Sequence, residues 1–224
     1  MALPQDIQNK RAGRFRDITE LIYGSGDVNK TLTDLQDSLL SLFHADRVTV
    51  YVVDMLTKEV HILFTVDDEI SEIRVPKSES SIVGYVAKTG RGLNIRNVYD
   101  NQEVQTIDPY LRFDESWDRR TGYRTTQMLA MPIGFNGFRL GVVEIINKIN
   151  GDCFTPEDAK FAEQFAEVLA KPLYNRHRSS VCDRRTALDR RMFNDIRHSG
   201  TELSSRVAQT KTKDRRIRVR LKLD

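Results

Sequence analysis

At 224 residues, with 39% hydrophobic and 30% charged side chains, the chain has enough apolar material for a packed core. It fits one domain with an appendage or two small domains. No apolar run of about 18 residues exists, and the start, MALPQDIQNKR, lacks an apolar signal core; no membrane span or secretory leader is expected, and a cytoplasmic location is.

The formal charge of +3 hides a split. Arg176 onward carries 15 Lys and Arg against 6 Asp and Glu, a basic tail of +9; the residues before it carry 20 against 26, an acidic body of −6. A boundary near residue 176 follows.

In chain order, Phe15, Ile18, Leu21 and Ile22 have helical spacing, and the Gly24–Asp27 stretch breaks it. Asp27 or Asn29 can cap a second helix carrying Leu32, Leu35, Leu39, Leu42 and Phe43. The first helix is polar over most of its surface, so its stripe needs a partner in this body or in another subunit. Strands are then predicted at Arg47–Asp54, Val60–Val66 and Ile70–Val75, with turns at Met55–Glu59 and Asp67–Glu69. Ser80 or Ser81 can cap a short helix over Ile82–Lys88, and Gly90 stops it. Leu93–Ile95 reads as a brief strand. Asn97–Asp118, rich in turn residues with one apolar patch at Tyr110, Leu111 and Phe113, reads as a long loop or lid.

Two apolar runs, Gln127–Ile133 and Phe138–Ile146, flank a turn at Gly134–Gly137 and predict an antiparallel hairpin. The Asn150–Asp152 stretch turns the chain again. Thr155, Pro156 and Asp158 then suit a capping box with Asp in place of Glu, ahead of a helix with Phe161, Phe165, Val168, Leu169 and Leu173 on one face. Pro172 is expected to kink that helix or loosen its last turns. Strands joined by hairpins, with helices at both ends, make the fold class α+β rather than doubly wound α/β.

Four segments in register resemble one family. DRVTVYVVD, IRVPKSESSIVGYVAKTGRGLNI, DRRTGYRTTQMLAMPI and GVVEIINKINGDCFTPED are similar to successive motifs of the GAF domain, a ligand-binding and dimerisation module of signalling proteins. The resemblance covers about residues 13–178. It implies a central antiparallel sheet of about six strands, with the terminal helices packed on one face and a ligand pocket on the other. The third segment is most similar to GAF domains of cyclic-nucleotide phosphodiesterases and adenylyl cyclases.

That resemblance implies a pocket at Asp118, Thr121, Thr125 and Glu144, with further positions at Asp67 and at Ile82–Val83. It implies cAMP or cGMP as the ligand, and a structural ion pair between Lys148 and Asp158. Departures are Ala159 at the signature's final Glu and Val83 where a small residue is usual. No cysteine falls in the pocket segments, so a covalently bound bilin is disfavoured. Thr121 and Thr125, four apart, would share a face in a helical turn. The start of the Ile82 helix offers N–H groups to an anion, and Phe113, Trp117 or Tyr123 can stack on a base.

Other readings stay open. Asp118–Thr121 also reads as a helix cap, Glu144 as a solvent-facing strand residue, and Lys148–Asp158 as an exposed pair worth ~0–1 kcal/mol. Cys153 and Cys182 read as free thiols, and His44, His61, His177 and His198 show no metal spacing. No nucleophile–base–orienter set is present, so the chain is read as non-catalytic. Residues 1–26 are expected to form an N-terminal helix with a dimer contact, 27–178 the domain, and 179–224 a basic extension. In the extension, Val181–Ile196 reads as a helix and Arg216–Asp224 as an alternating strand; nucleic-acid binding is not expected, because no aromatic interleaving accompanies the charge. The expected partners are a small-molecule ligand, a second copy in a homodimer, and an output domain. The alternative is a ligand-free dimerisation or protein-interaction module.

Overall fold

A computed structural model describes residues 5–54, 57, 59–66, 74–76, 80–149 and 153–179. The chain divides into two compact units, Met1–Asn175 and Arg176–Asp224. The sheet lies in the first, with the helices around it as far as Asn175. The predicted Asp67–Glu69 and Asn150–Asp152 turns, part of the Met55–Glu59 turn, most of the Ile70–Val75 strand, Cys182 and both elements expected in the basic tail lie outside the described residues.

Six strands form one antiparallel sheet in the order β3-β2-β1-β6-β5-β4. They are β1 (Ala45–Val53), β2 (Glu59–Thr65), β3 (Arg74–Pro76), β4 (Leu93–Ile95), β5 (Met128–Phe135) and β6 (Phe138–Lys148). β6, the longest strand, sits at the centre beside β1 and is buried continuously from Leu140 to Ile146. Its hairpin with β5 turns at Asn136 and Gly137, both with positive φ (50° and 79°). That is the two-residue turn whose twist matches its strands, and Asn-Gly is the sequence that favours it. On the other side β6 approaches β1 so closely at Gly141 that a Cβ there would lie 2.0 Å from the Tyr51 carbonyl oxygen. Only glycine fits.

The period of two along each strand separates the two faces of the sheet. Val48 and Val50 of β1 and Val143 and Ile145 of β6 point into one core, shared with Ile18, Ile22, Leu32, Leu39 and Phe43 from the N-terminal helices and Phe165 and Leu169 from the last helix. Those helices are α1 (Gln5–Gly24), α2 (Val28–Asp34), α3 (Gln36–Phe43) and α7 (156–179). Asp27 caps α2 by accepting from the Asn29 and Lys30 N–H groups. Thr155 and Asp158 cap α7 reciprocally: the Asp158 N–H donates to Thr155 Oγ1 at 3.2 Å, and the Thr155 N–H to Asp158 Oδ2 at 2.8 Å. Helical backbone continues through Pro172 to residue 179.

The opposite face carries a second core of Tyr51, Val142 and Ile146 with α4 (Ile82–Thr89) and the segment from Val98 to Leu111. Here the sequence expectation of a long loop at Asn97–Asp118 is corrected. The segment holds α5 (Asn101–Ile107) and leads into α6 (Ser116–Thr121). Their apolar faces are short: α5 buries Val104 and half-buries Ile107 against this core. Local capping defines α5 instead. Asp100 accepts from the Gln102 and Glu103 N–H groups, and the Glu103 carboxylate accepts from those of Arg96 and Asn97.

Candidate ligand cavity

The cavity lies on the α4–α6 side of the sheet and encloses about 140 Å³. Its floor is the row of alternate residues from the two central strands: Arg47, Thr49 and Tyr51 of β1, and Glu144 and Ile146 of β6. The walls are Ser81, Ile82 and Val83 at the start of α4, the segment Arg112–Asp114, and Trp117, Asp118, Thr121 and Thr125 in and after α6.

The expected residues Ile82, Val83, Asp118, Thr121, Thr125 and Glu144 therefore converge on one space. Asp67 lies outside the described residues. Arg47, Thr49, Tyr51, Thr65 and Arg112 also line the cavity, and sequence reasoning did not select them. Phe113 and Trp117 line it too. Tyr123 does not: it packs face-on beneath the Arg47 guanidinium, 3.5 Å from its ring centroid, and accepts a hydrogen bond from Asn147 Nδ2 at 2.8 Å. Stacking on a ligand is thereby corrected for that ring.

Asp118 is buried and organises the recognition wall. Its Oδ2 accepts from the Thr125 N–H (2.6 Å) and the Tyr99 hydroxyl (2.8 Å), and its Oδ1 from the Thr125 hydroxyl (2.8 Å). It sits inside α6, not at its cap. The two threonines do not share a helical turn. Gly122, with φ of 70°, ends α6 after Thr121, and Thr125 follows in non-helical chain. Thr121 Oγ1 closes back on the Trp117 carbonyl (3.0 Å), as a helix-end threonine does.

Glu144 faces the cavity floor, not solvent, and is 5% exposed. In the sheet it is flanked by Thr49 and Ala130. Burial pushes its carboxyl up to about 7, and a hydrogen bond from the Tyr51 hydroxyl (3.1 Å) only partly offsets this. Burial also raises the Tyr51 phenol well above its usual value, helped by the charge and hydrogen bonding of Glu144. Near neutral pH the floor thus offers a carboxyl able to donate or accept.

At the start of α4 one N–H group, that of Gly84, is capped by a side chain. Ser81 Oγ accepts from the Gly84 N–H (3.1 Å) and the Ser81 carbonyl from the Tyr85 N–H (2.7 Å). A parallel bridge joins Ser81 to Arg112, and the Arg112 N–H donates to the Ser80 carbonyl at 3.0 Å.

Lys148 and Asp158 pair away from the cavity, and the pair is buried rather than exposed: Asp158 is 1% exposed. A third partner is present. Arg11 of α1 places Nη2 2.8 Å from Asp158 Oδ1, and its guanidinium covers the Phe161 ring at 4.3 Å. Burial alone would raise the Asp158 carboxyl. The Lys148 and Thr155 hydrogen bonds and the charges of Arg11 and Lys148 outweigh it and hold the group below its ordinary value. Asn147, next to Lys148, ties the strand end to the recognition wall, its Oδ1 accepting from the Thr126 and Gln127 N–H groups.

Among the described residues, no cluster of three or more His, Cys, Asp or Glu is placed to hold a metal ion, and no helix is long and apolar enough to cross a membrane. Cys153 is a free, exposed thiol.

A family model described as "GAF domain" matches residues 27–173. A probable 3′,5′-cyclic phosphodiesterase (pde-5) of Caenorhabditis elegans is 32% identical over 197 residues, 77% of this chain and 26% of that protein. The dual 3′,5′-cyclic-AMP and -GMP phosphodiesterase 11A of Takifugu rubripes is 32% identical over 162 residues, 67% of this chain and 17% of that protein. The chain thus spans about a quarter or less of these relatives. Among solved structures, the GAF domain of a phosphoenolpyruvate-protein phosphotransferase from Coxiella burnetii superposes with a TM-score of 0.62 at 16% identity, over 76% of this chain and 96% of that one. The free methionine-R-sulfoxide reductase of Neisseria meningitidis shares the fold with a TM-score of 0.58 at 15% identity, over 78% and 94%. With the family model covering well over half of its length, the chain belongs to the GAF domain family.

Proposed function

We propose that this GAF domain is a non-catalytic sensory module that binds a cyclic nucleotide, cAMP or cGMP, and passes the bound state through its terminal helices to an output domain. The observation that carries the reading is the convergence of Asp118, Thr121, Thr125 and Glu144 on one cavity opposite the terminal helices. The cyclic-nucleotide phosphodiesterases among its relatives support the ligand class. In this reading 27–178 is the ligand module, 1–26 contributes a homodimer contact, 179–224 leads on as a basic extension, and the protein works in the cytoplasm.

At about 140 Å³ the space is smaller than the roughly 300–1,000 Å³ typical of small-molecule sites. Nucleotide entry therefore requires one wall to move. The segment 108–115 is the candidate: apart from Leu111 it is exposed or half-buried, whereas Ile82–Ala87 of α4 is buried throughout. A ligand that favours the opened arrangement shifts the population toward it.

Titration calorimetry with cAMP and with cGMP tests the reading. Saturable binding is expected, weakened tenfold or more by Thr121→Ala with Thr125→Ala. Absence of heat with both nucleotides would remove the cyclic-nucleotide assignment. The small cavity and its internally paired Asp118 favour a second reading, a ligand-free dimerisation module. Sedimentation separates the two: that reading requires a dimer insensitive to either nucleotide.

A further inference from the structure

Resting on the cyclic-nucleotide reading, we propose that Arg112 is the residue that reads the ligand's phosphate charge and fastens segment 108–115 over it. Arg112 is exposed and lines the cavity at its mouth. Its main chain is bonded to Ser80 and bridged to Ser81, directly ahead of α4. Its guanidinium is only partly used. Nη1 donates to the Pro109 and Leu111 carbonyls, at 2.8 and 2.6 Å, within its own loop. A guanidinium has five N–H donors in a planar fork suited to a phosphate, so Nε and Nη2 can take an incoming anion while Nη1 keeps the loop folded.

The charge around the cavity points the same way. Asp118 already accepts three hydrogen bonds. Asp114 Oδ1 accepts from the Ser116 N–H, and Glu144 is deep on the floor beside Tyr51. Arg47, the other cation in the lining, lies flat on the Tyr123 ring. Arg112 is the cation carried by the least buried wall, the one that must move for a ligand to enter. A phosphate bound beside it would join that wall to the start of α4.

The test compares a charged ligand with its uncharged counterpart. Calorimetry is run with cGMP and guanosine, and with cAMP and adenosine, on the wild type, Arg112→Gln and Arg112→Lys. The expected result is a tenfold or greater loss of cyclic-nucleotide affinity in Arg112→Gln, unchanged nucleoside affinity, and an intermediate loss in Arg112→Lys, which keeps the charge without the fork. Hydrogen exchange should show the Arg112 amide becoming more protected when cyclic nucleotide binds the wild type, and less so in Arg112→Gln. Equal losses for nucleotide and nucleoside, or no loss for either, would overturn the role of Arg112 while leaving the cyclic-nucleotide reading standing. A wild type that binds neither cyclic nucleotide overturns both.

Discussion

Asp158→Asn is expected to lower the unfolding free energy by about 3–5 kcal/mol at pH 7, the cost of removing one partner from a buried charged group. The carboxylate is shared by Lys148 at the end of β6, Arg11 of α1 and the Thr155 N–H at the head of α7. Neutralising it leaves two cations without their counter-charge. Arg11 is 9% exposed, and its Nε and Nη2 make no directed hydrogen bond, so its compensation is almost wholly Coulombic. The sign in acid follows from the lowered Asp158 carboxyl. Its contribution is complete above the ordinary value of 3.8 and is lost as pH falls through the lower folded value. Urea unfolding at pH 7 and again near pH 3 checks both parts. The midpoint gap between wild type and variant should be widest at pH 7 and begin to close near pH 3, closing fully only below the folded Asp158 value, with little change in slope. A loss under about 1 kcal/mol at pH 7 would return the pair to the class of surface bridges.

Arg11 also marks the limit of what the sequence makes legible. Thr155, Pro156 and Asp158 announce a capping box by local spacing, and the box is there. Nothing local connects Arg11 to Asp158, 147 positions away; only the packing of α1 beside α7 brings them together. The cavity divides in the same manner. Its wall is readable because Asp118, Thr121 and Thr125 stand close together within one motif. Its floor comes from strands far apart in sequence. Yet β1 carries a usable signal: in Arg47-Val-Thr-Val-Tyr51 the odd positions are polar or aromatic and the even ones valine. A period of two puts Arg47, Thr49 and Tyr51 on one face, and they line the cavity together. Glu144 falls on that face by the same alternation with Val143 and Ile145. By contrast, α5 offers only Val104 and Ile107 at helical spacing, too short a run to separate from a loop, and α6 offers none. The Asp100 cap was the readable trace of α5, and α6 lacks even a side-chain cap.

Glu144→Gln is expected to stabilise the protein above neutral pH and to leave it nearly unchanged near pH 5. The carboxyl sits mid-sheet with one hydrogen bond, from Tyr51, and burial lifts it from 4.5 to about 7. Because the folded state holds this proton more tightly than the unfolded chain, stability is greatest below about 4.5 and declines as pH rises toward 7. Above that the full cost of the buried charge remains, on the order of 3 kcal/mol from the displacement of the titration. Glutamine keeps the shape and an acceptor for Tyr51 without the charge. A gain of about 1–3 kcal/mol at pH 8.5, read as a Tm higher by roughly 2–10 °C, should shrink toward zero at pH 5. The same comparison made with saturating cyclic nucleotide separates structure from recognition. If Glu144 serves the ligand, the variant should gain stability alone but lose part of the increment that ligand adds to the wild type. A pH-independent difference would show that the carboxyl titrates in its ordinary range and that the cavity floor is wetter than its burial implies.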